Sequence, residues 1–157
     1  MTIDKELLQH PDAWRNEEIY KAIYNYSMHD YEGYWMAQID QLSWSKIPHI
    51  PTEKADNGAT LWFPDGRINA CYNCVDRHVL LSPNKTAIIW QSENLDNSDN
   101  CEYISYKQLQ DRVCMFANTL KKFGLTKTDC ITIYMPMVPE VIYACLACAR
   151  LGIPYKI

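Results

Sequence analysis

The residues best equipped for chemistry in this chain are thiols and a histidine. The segment "CYNCVDRH", residues 71–78, carries two cysteines at CxxC spacing with a histidine further on, and "CLAC" repeats the spacing at Cys145 and Cys148. A structural zinc takes four thiolate or imidazole ligands from tight knuckles, and paired CxxC units are a common source. The second pair, however, lies inside "VIYACLACARLG", among alanines and leucine, where small buried thiols behave as hydrophobes. It reads as core filling. Cys74 and His78 stand at i and i+4 and could share one helix face, yet with Cys71 ahead of that helix they make only a partial metal site. A redox CxxC opens a helix directly after a strand in a Trp or Pro context, which "CYNC", with a cap residue between its thiols, matches poorly. Asp76, Arg77 and His78 are consecutive, and consecutive helical residues point in different directions. They therefore read as a helix-capping acid and an ion-pairing base rather than a catalytic pair.

Other catalytic patterns are missing from the sequence. There is no GxSxG elbow and no HExxH, and the five glycines, Gly33, Gly58, Gly66, Gly124 and Gly152, stand too far apart to build a phosphate-cradling loop. His10, His29 and His49 occupy polar or loop contexts and read as surface histidines. No catalytic, cofactor-binding or metal-ligating residue is assigned on these grounds.

The elements that must position these residues fall into two textures. Up to about residue 65 the chain is rich in aromatics. Ile19, Ile23 and Tyr26, then Tyr31, Tyr34 and Trp35, recur at the spacing of two amphipathic helices with a break at residues 27–30. Residues 45–67, "SKIPHIPTEKADNGATLWFPDGR", mix three prolines with glycines and show no period. They read as a long irregular connection wrapping over a surface, with "LWF" as an apolar anchor.

From Ile68 onward strands and helices alternate. Asn73 is placed to cap a helix through "CVDRHVLL" ending before Pro83, with Asp76 in its first turn. "TAIIWQS" and "EYISY" read as a hairpin across the polar turn "NLDNSDN". In "SYKQLQDRVCMFANTLKKFG" the residues Leu109, Val113, Phe116, Ala117 and Leu120 form one stripe, and Lys121, Lys122 and Gly124 supply a basic last turn and a stop. "DCITIYMP" reads as a strand, "VPEVIYACLACARLG" as a helix from Pro139 to a stop at Gly152, and "IPYKI" as another extended segment. Helix, strand, helix, strand implies parallel crossovers, an α/β class and a sheet buried on both faces.

Composition narrows the partners. With 157 residues, 48% hydrophobic and 22% charged, the chain has the balance of a globular protein. Its 19 acidic and 15 basic residues, net charge -4, form no run of one sign, so neither nucleic acid nor a membrane is expected as a partner. The start "MTIDKELLQHPDAWRNEE" has no signal-peptide pattern, and no stretch reaches the roughly 18 to 20 apolar residues of a bilayer span. The expected address is cytoplasmic, where the seven cysteines are expected as thiols.

"LWFPDGRINACYNCVDRHVLLSPNKTAIIW" and "YISYKQLQDRVCMFANTLKKFGLTKTDCITIYMPMVPEVIYACLACARLG", with "YEGYWMAQIDQLSW" more loosely, resemble the N-terminal portion of AMP-forming acetyl-CoA and propionyl-CoA synthetases. The resemblance implies an acetyl-CoA synthetase N-terminal extension over 1–85 and the start of an adenylate-forming domain over 86–157. The implied fold is a helical and irregular extension followed by the first hairpin and βα units of an incomplete sheet. Such ligases join a short carboxylate to coenzyme A through an acyl-adenylate, using ATP, Mg and coenzyme A. Their phosphate loop, nucleotide motifs and C-terminal lysine match no position here, so no site residue carries over and none of these cofactors is expected to bind this chain alone.

After Gly152 the sequence "IPYKI" departs from the family pattern, which is the mark expected of a truncated product. The helix at residues 138–151 is then expected to lose packing partners and the sheet to keep an open edge. Three readings follow: an N-terminal ligase fragment inactive alone; one half of a split ligase completed by a companion polypeptide; and a metal-binding or interaction module built on "CYNC".

Overall fold

Asn16 opens the first helix by local chemistry. Its side-chain oxygen accepts the N–H groups of Glu18 and Ile19 at 3.0 and 3.3 Å, satisfying two of the donors a helix start leaves bare. The computed structural model describes residues 15–92 and 101–157, which fall into two units, Met1–Ile68 and Asn69–Ile157.

In the first unit, α1 (Glu17–His29) buries Ile23 and carries Glu17 and Glu18 in its first turn and His29 in its last, both favourable to the helix dipole. The expected break falls at Asp30. Its N–H closes α1 on the Tyr26 carbonyl, while its side chain accepts the Gly33 N–H at 3.0 Å and starts α2 (Tyr31–Gln38). A Cβ at 33 would displace the Asp30 carboxylate from its capping position.

The stretch expected to be irregular is instead built from two antiparallel pairs. β1 (Trp44–Lys46) pairs with β4 (Arg67–Ile68), and between them β2 (Thr52–Lys54) pairs with β3 (Thr60–Trp62) in the register Thr52↔Trp62 to Lys54↔Thr60. These strands are too short to display alternation. The signal that survives is Asn57-Gly58 at the turn, with Gly58 at φ 81° and the Asn57 side chain accepting the Ala59 N–H. The "LWF" anchor is aromatic. Trp62 meets Trp35 of α2 with ring centroids 4.9 Å apart and near edge-on, and Phe63 meets Trp44 at 5.5 Å.

The second unit begins with a helical segment over 70–81, whose middle, Tyr72–Asp76, is a π-helical turn and whose end is α3 (Arg77–Leu81). β5 (Thr86–Gln91) and β6 (Cys101–Ser105) are antiparallel as expected; the polar turn between them lies outside the described residues. Ser105 then starts α4 (Tyr106–Lys122) through a capping box with Gln108. The helix ends in a Schellman motif, with Gly124 N–H on the Lys121 carbonyl and Leu125 N–H on that of Leu120. Its predicted stripe is its buried face: Leu109, Val113, Ala117 and Leu120 are buried, and Phe116 packs against the same core.

β7 (Ile131–Thr132), α5 (Pro139–Leu151) and β8 (Tyr155–Lys156) form the parallel crossover that the order of elements implied. α5 has Pro139 in its first turn and ends at Gly152, φ 71°. It keeps a packing partner: its buried residues Tyr143, Ala147 and Cys148 belong to the same core as the α4 stripe. The expected doubly buried sheet is not present. Each described sheet has two strands, and β8 is exposed along its length, because no further strand flanks it among the described residues. No described helix is long and apolar enough to cross a membrane.

Candidate functional site

A connected polar cluster of the second unit surrounds "CYNCVDRH". The helix over 70–81 is capped by Asn69, not by Asn73: the Asn69 side-chain oxygen accepts the Tyr72 N–H at 3.0 Å, and its amide donates to the Arg150 carbonyl at 2.9 Å. Asn73 lies one turn further in and is buried. It donates its side-chain amide to the Asn69 carbonyl at 3.1 Å and accepts from Arg77 Nη1 at 3.2 Å. Both asparagines stand ahead of apolar residues, and only the packing against α5 decides which one caps. The Arg77 N–H reaches back to the Tyr72 carbonyl, the i to i−5 bond of a π turn.

Asp76 sits at the end of that turn and caps nothing. Arg150 Nη2 of α5 donates to its two carboxylate oxygens at 2.9 and 2.8 Å, and Gln110 Nε2 of α4 donates to one of them at 2.7 Å. The pair is largely shielded, with side-chain exposures of 24% for Arg150 and 14% for Asp76. Burial alone would weaken the hold of Arg150 on its proton; the hydrogen-bonded Asp76 carboxylate outweighs it and raises the guanidinium pKa. Arg150 Nε is buried without a hydrogen-bond partner. Burial pushes the fully enclosed Cys71 thiol up, against the pull of the Arg150 charge.

The candidate ligands scatter. Cys71 is buried, Cys74 is exposed, and His78 is half-buried with its ring tilted over Tyr106, centroids 5.0 Å apart. Cys148 is enclosed in the core and Cys145 is half-buried beside it on α5. Among the described residues no group of three or more His, Cys, Asp or Glu is placed to hold a metal ion. His29 hydrogen-bonds the Asn25 carbonyl through Nδ1, His49 is exposed, and His10 lies outside the described residues.

α5 starts at Val138 with no side-chain cap and with Pro139 in its first turn, where the missing N–H removes one of the bare donors of the helix start. The cluster has no nucleophile held by a base. One carboxylate, that of Asp76, ties the π turn, α4 and α5 together. Sequence reasoning missed Asn69, Gln110 and Arg150. Arg150 and Asp76 are 74 positions apart, and no local pattern links them.

Two family models cover nearly the whole chain: "Acetyl-coenzyme A synthetase N-terminus" over residues 20–74 and "AMP-binding enzyme" over residues 75–156. The second runs through residue 156. Acetyl-coenzyme A synthetase of Bdellovibrio bacteriovorus is 41% identical over 149 residues, 92% of this chain and 22% of that protein. The enzyme of the same name from Alcanivorax borkumensis is 43% identical over 139 residues, 87% of this chain and 21% of its own length. The solved acetoacetyl-CoA synthetase of Streptomyces lividans has the same fold over 97% of this chain and 24% of its own, with TM-score 0.79 at 18% identity. The chain thus spans about a fifth of the length of the curated relatives it matches. It belongs to the AMP-binding enzyme family and corresponds to the N-terminal portion of the acetyl-coenzyme A synthetases.

Proposed function

We propose that this chain is the N-terminal part of an AMP-forming ligase that joins acetate, or propionate, to coenzyme A, and that the chain alone has no ligase activity. The observation that carries this reading is the 41% identity to an acetyl-coenzyme A synthetase across 92% of the chain but only 22% of that enzyme. In the proposed reaction the carboxylate attacks the α-phosphorus of Mg-bound ATP, releasing pyrophosphate and leaving an acyl-adenylate. The thiol of coenzyme A then displaces AMP. ATP, Mg and coenzyme A belong to the complete ligase, which would act in the cytoplasm without nucleic acid or membrane as partner. The scattered glycines and the absence of a nucleophile–base pair in the Asp76 cluster support assigning the chain a structural share of that enzyme.

The test is acetate- and ATP-dependent pyrophosphate release. The purified chain is expected to release none above background. The same chain fused to the part of the Bdellovibrio bacteriovorus enzyme that follows its matched segment is expected to release pyrophosphate and to form acetyl-CoA. An inactive but folded fusion would overturn the reading.

A further inference from the structure

Contacts at two levels fix how the helix over 70–81 lies against α4. Lys107 N–H donates to the Pro83 carbonyl and Tyr106 N–H to that of Lys85, both at 3.0 Å, so the turn after Leu81 meets the start of α4. Further along, the His78 ring tilts over Tyr106, and Asp76 accepts from Gln110 at 2.7 Å. Residue numbers fall on one helix as they rise on the other, so the two run antiparallel. Tyr106, Gln110 and Cys114 share one stripe of α4, each four residues after the last. Cys71 stands ahead of Asp76 by the span of one π turn. The register that sets Asp76 against Gln110 therefore sets Cys71 against Cys114.

Arg150 of α5 marks the same place independently. Its guanidinium, bonded to Asp76, lies within electrostatic reach of both the Cys71 and the Cys114 thiol. The two thiols differ in access. Cys71 is fully enclosed, whereas Cys114 is half-buried. A small oxidant can thus meet Cys114 from solvent, with Cys71 as the second thiol behind it.

We propose that Cys71 and Cys114 form a redox-sensitive clamp, two thiols in the reduced chain and a disulfide between the 70–81 helix and α4 after oxidation. Hydrogen peroxide is the oxidant. It transfers one oxygen to Cys114, giving a sulfenic acid and one water. The Cys71 sulfur then attacks the Cys114 sulfur; the S–O bond breaks, and the departing hydroxide takes the Cys71 proton as a second water. The two sulfurs together give up two electrons, which peroxide accepts. A dithiol reductant restores both thiols by exchange. The bond closes residues 71–114 into a ring and pins the π turn beside the Asp76–Arg150 pair. It does so whatever reaction the chain takes part in.

The test uses the full chain, reduced, pulsed with hydrogen peroxide at neutral pH without denaturant and quenched by alkylation. Peptide mapping without reductant is expected to find Cys71 joined to Cys114 in the unaltered chain and in Cys74→Ser, and to lose that linked pair in Cys114→Ser. The melting temperature is expected to rise by about 10 °C on oxidation of the unaltered chain and of Cys74→Ser, as closing a ring of this size predicts, and to return with dithiothreitol. Cys114→Ser is expected to show no rise. Cys71 recovered as a free thiol, joined to Cys74, joined to Cys114 of a second molecule, or joined to Cys114 only after unfolding overturns the clamp. If Cys114→Ser fails to fold, the map of the unaltered chain still decides, because it reads the partner of Cys71 directly.

Discussion

Arg150 donates through Nη2 to both carboxylate oxygens of Asp76, at 2.9 and 2.8 Å. This contact joins the π turn inside "CYNCVDRH" to the helix that carries "CLAC", so the two cysteine motifs do meet in space, through an ion pair and not through a metal. Asn69 adds a second tie by donating to the Arg150 carbonyl, and Gln110 a third by donating to Asp76.

Removing one partner of a shielded ion pair leaves the other charge uncompensated, at a cost of about 3 kcal/mol when burial is deep. Asp76 and Arg150 retain some solvent access, so Asp76→Ala is expected to lower unfolding free energy by about 2 kcal/mol. Asp76→Asn, which keeps an acceptor for Gln110 or Arg150, is expected to cost less. Urea unfolding of both, with Arg150→Met and the double variant, measures the coupling. A double variant whose loss equals the sum of the singles would show that the pair contributes nothing as a pair.

Two helix stops depend on glycine in the left-handed region. Gly124 has φ 79° and open space where a Cβ would stand, whereas a Cβ on Gly152, φ 71°, would come 3.3 Å from Lys127 Cε. Alanine at either site is expected to cost about 1 kcal/mol from backbone strain. Gly152→Ala should cost slightly more, and Lys127→Ala should abolish that excess. Chemical denaturation of the two glycine variants, of Lys127→Ala and of its combination with Gly152→Ala tests the ranking.

These features were unequally legible in the sequence. The α4 stripe from Leu109 to Leu120, its glycine stop and the β5–β6 hairpin follow from periodicity over many residues, and each is found where the pattern put it. The crossover through α5 follows from the Pro139 and Gly152 punctuation. The β1–β4 and β2–β3 pairs were hidden because strands of two or three residues cannot show alternation, leaving only Asn57-Gly58 as a clue. The cap at Asn69 was hidden by a second asparagine one turn later. Arg150 was hidden because its partner is remote in sequence and its neighbours, "ACARLG", read as plain apolar helix. Local rules decide local hydrogen bonds; which of two equivalent residues is used is settled by the tertiary contact each can reach.

Thiol reactivity should divide the cysteines by burial. Burial raises the Cys71 and Cys148 thiols above the ordinary range, and neither is accessible, whereas Cys74 and Cys130 are exposed. A neutral alkylating reagent at about pH 8 is expected to modify Cys74 and Cys130 in the folded chain and to reach Cys71 and Cys148 only on unfolding. Peptide mapping after a timed pulse reads the order. Early labelling of Cys71 would mean that the Asp76–Arg150 tie opens readily.

Asp129 gives the clearest pH dependence. It accepts the Thr126 N–H at 2.7 Å and the Thr126 hydroxyl at 2.9 Å in the connection from α4 to β7, and these bonds to the ionised carboxylate lower its pKa. Because the folded pKa lies below the unfolded one, near 3.9 for aspartate, the contribution is complete above about pH 3.9 and is lost as pH falls through the lower folded value. Protection of the Thr126 amide from solvent exchange is therefore expected to hold from neutral pH down past the unfolded value and to fall only as pH drops through the lower folded one. In Asp129→Asn the amide oxygen still accepts but does not titrate, so the acid-side fall should flatten. A Thr126 exchange profile with the same acid midpoint in Asp129→Asn would assign the effect to another carboxylate.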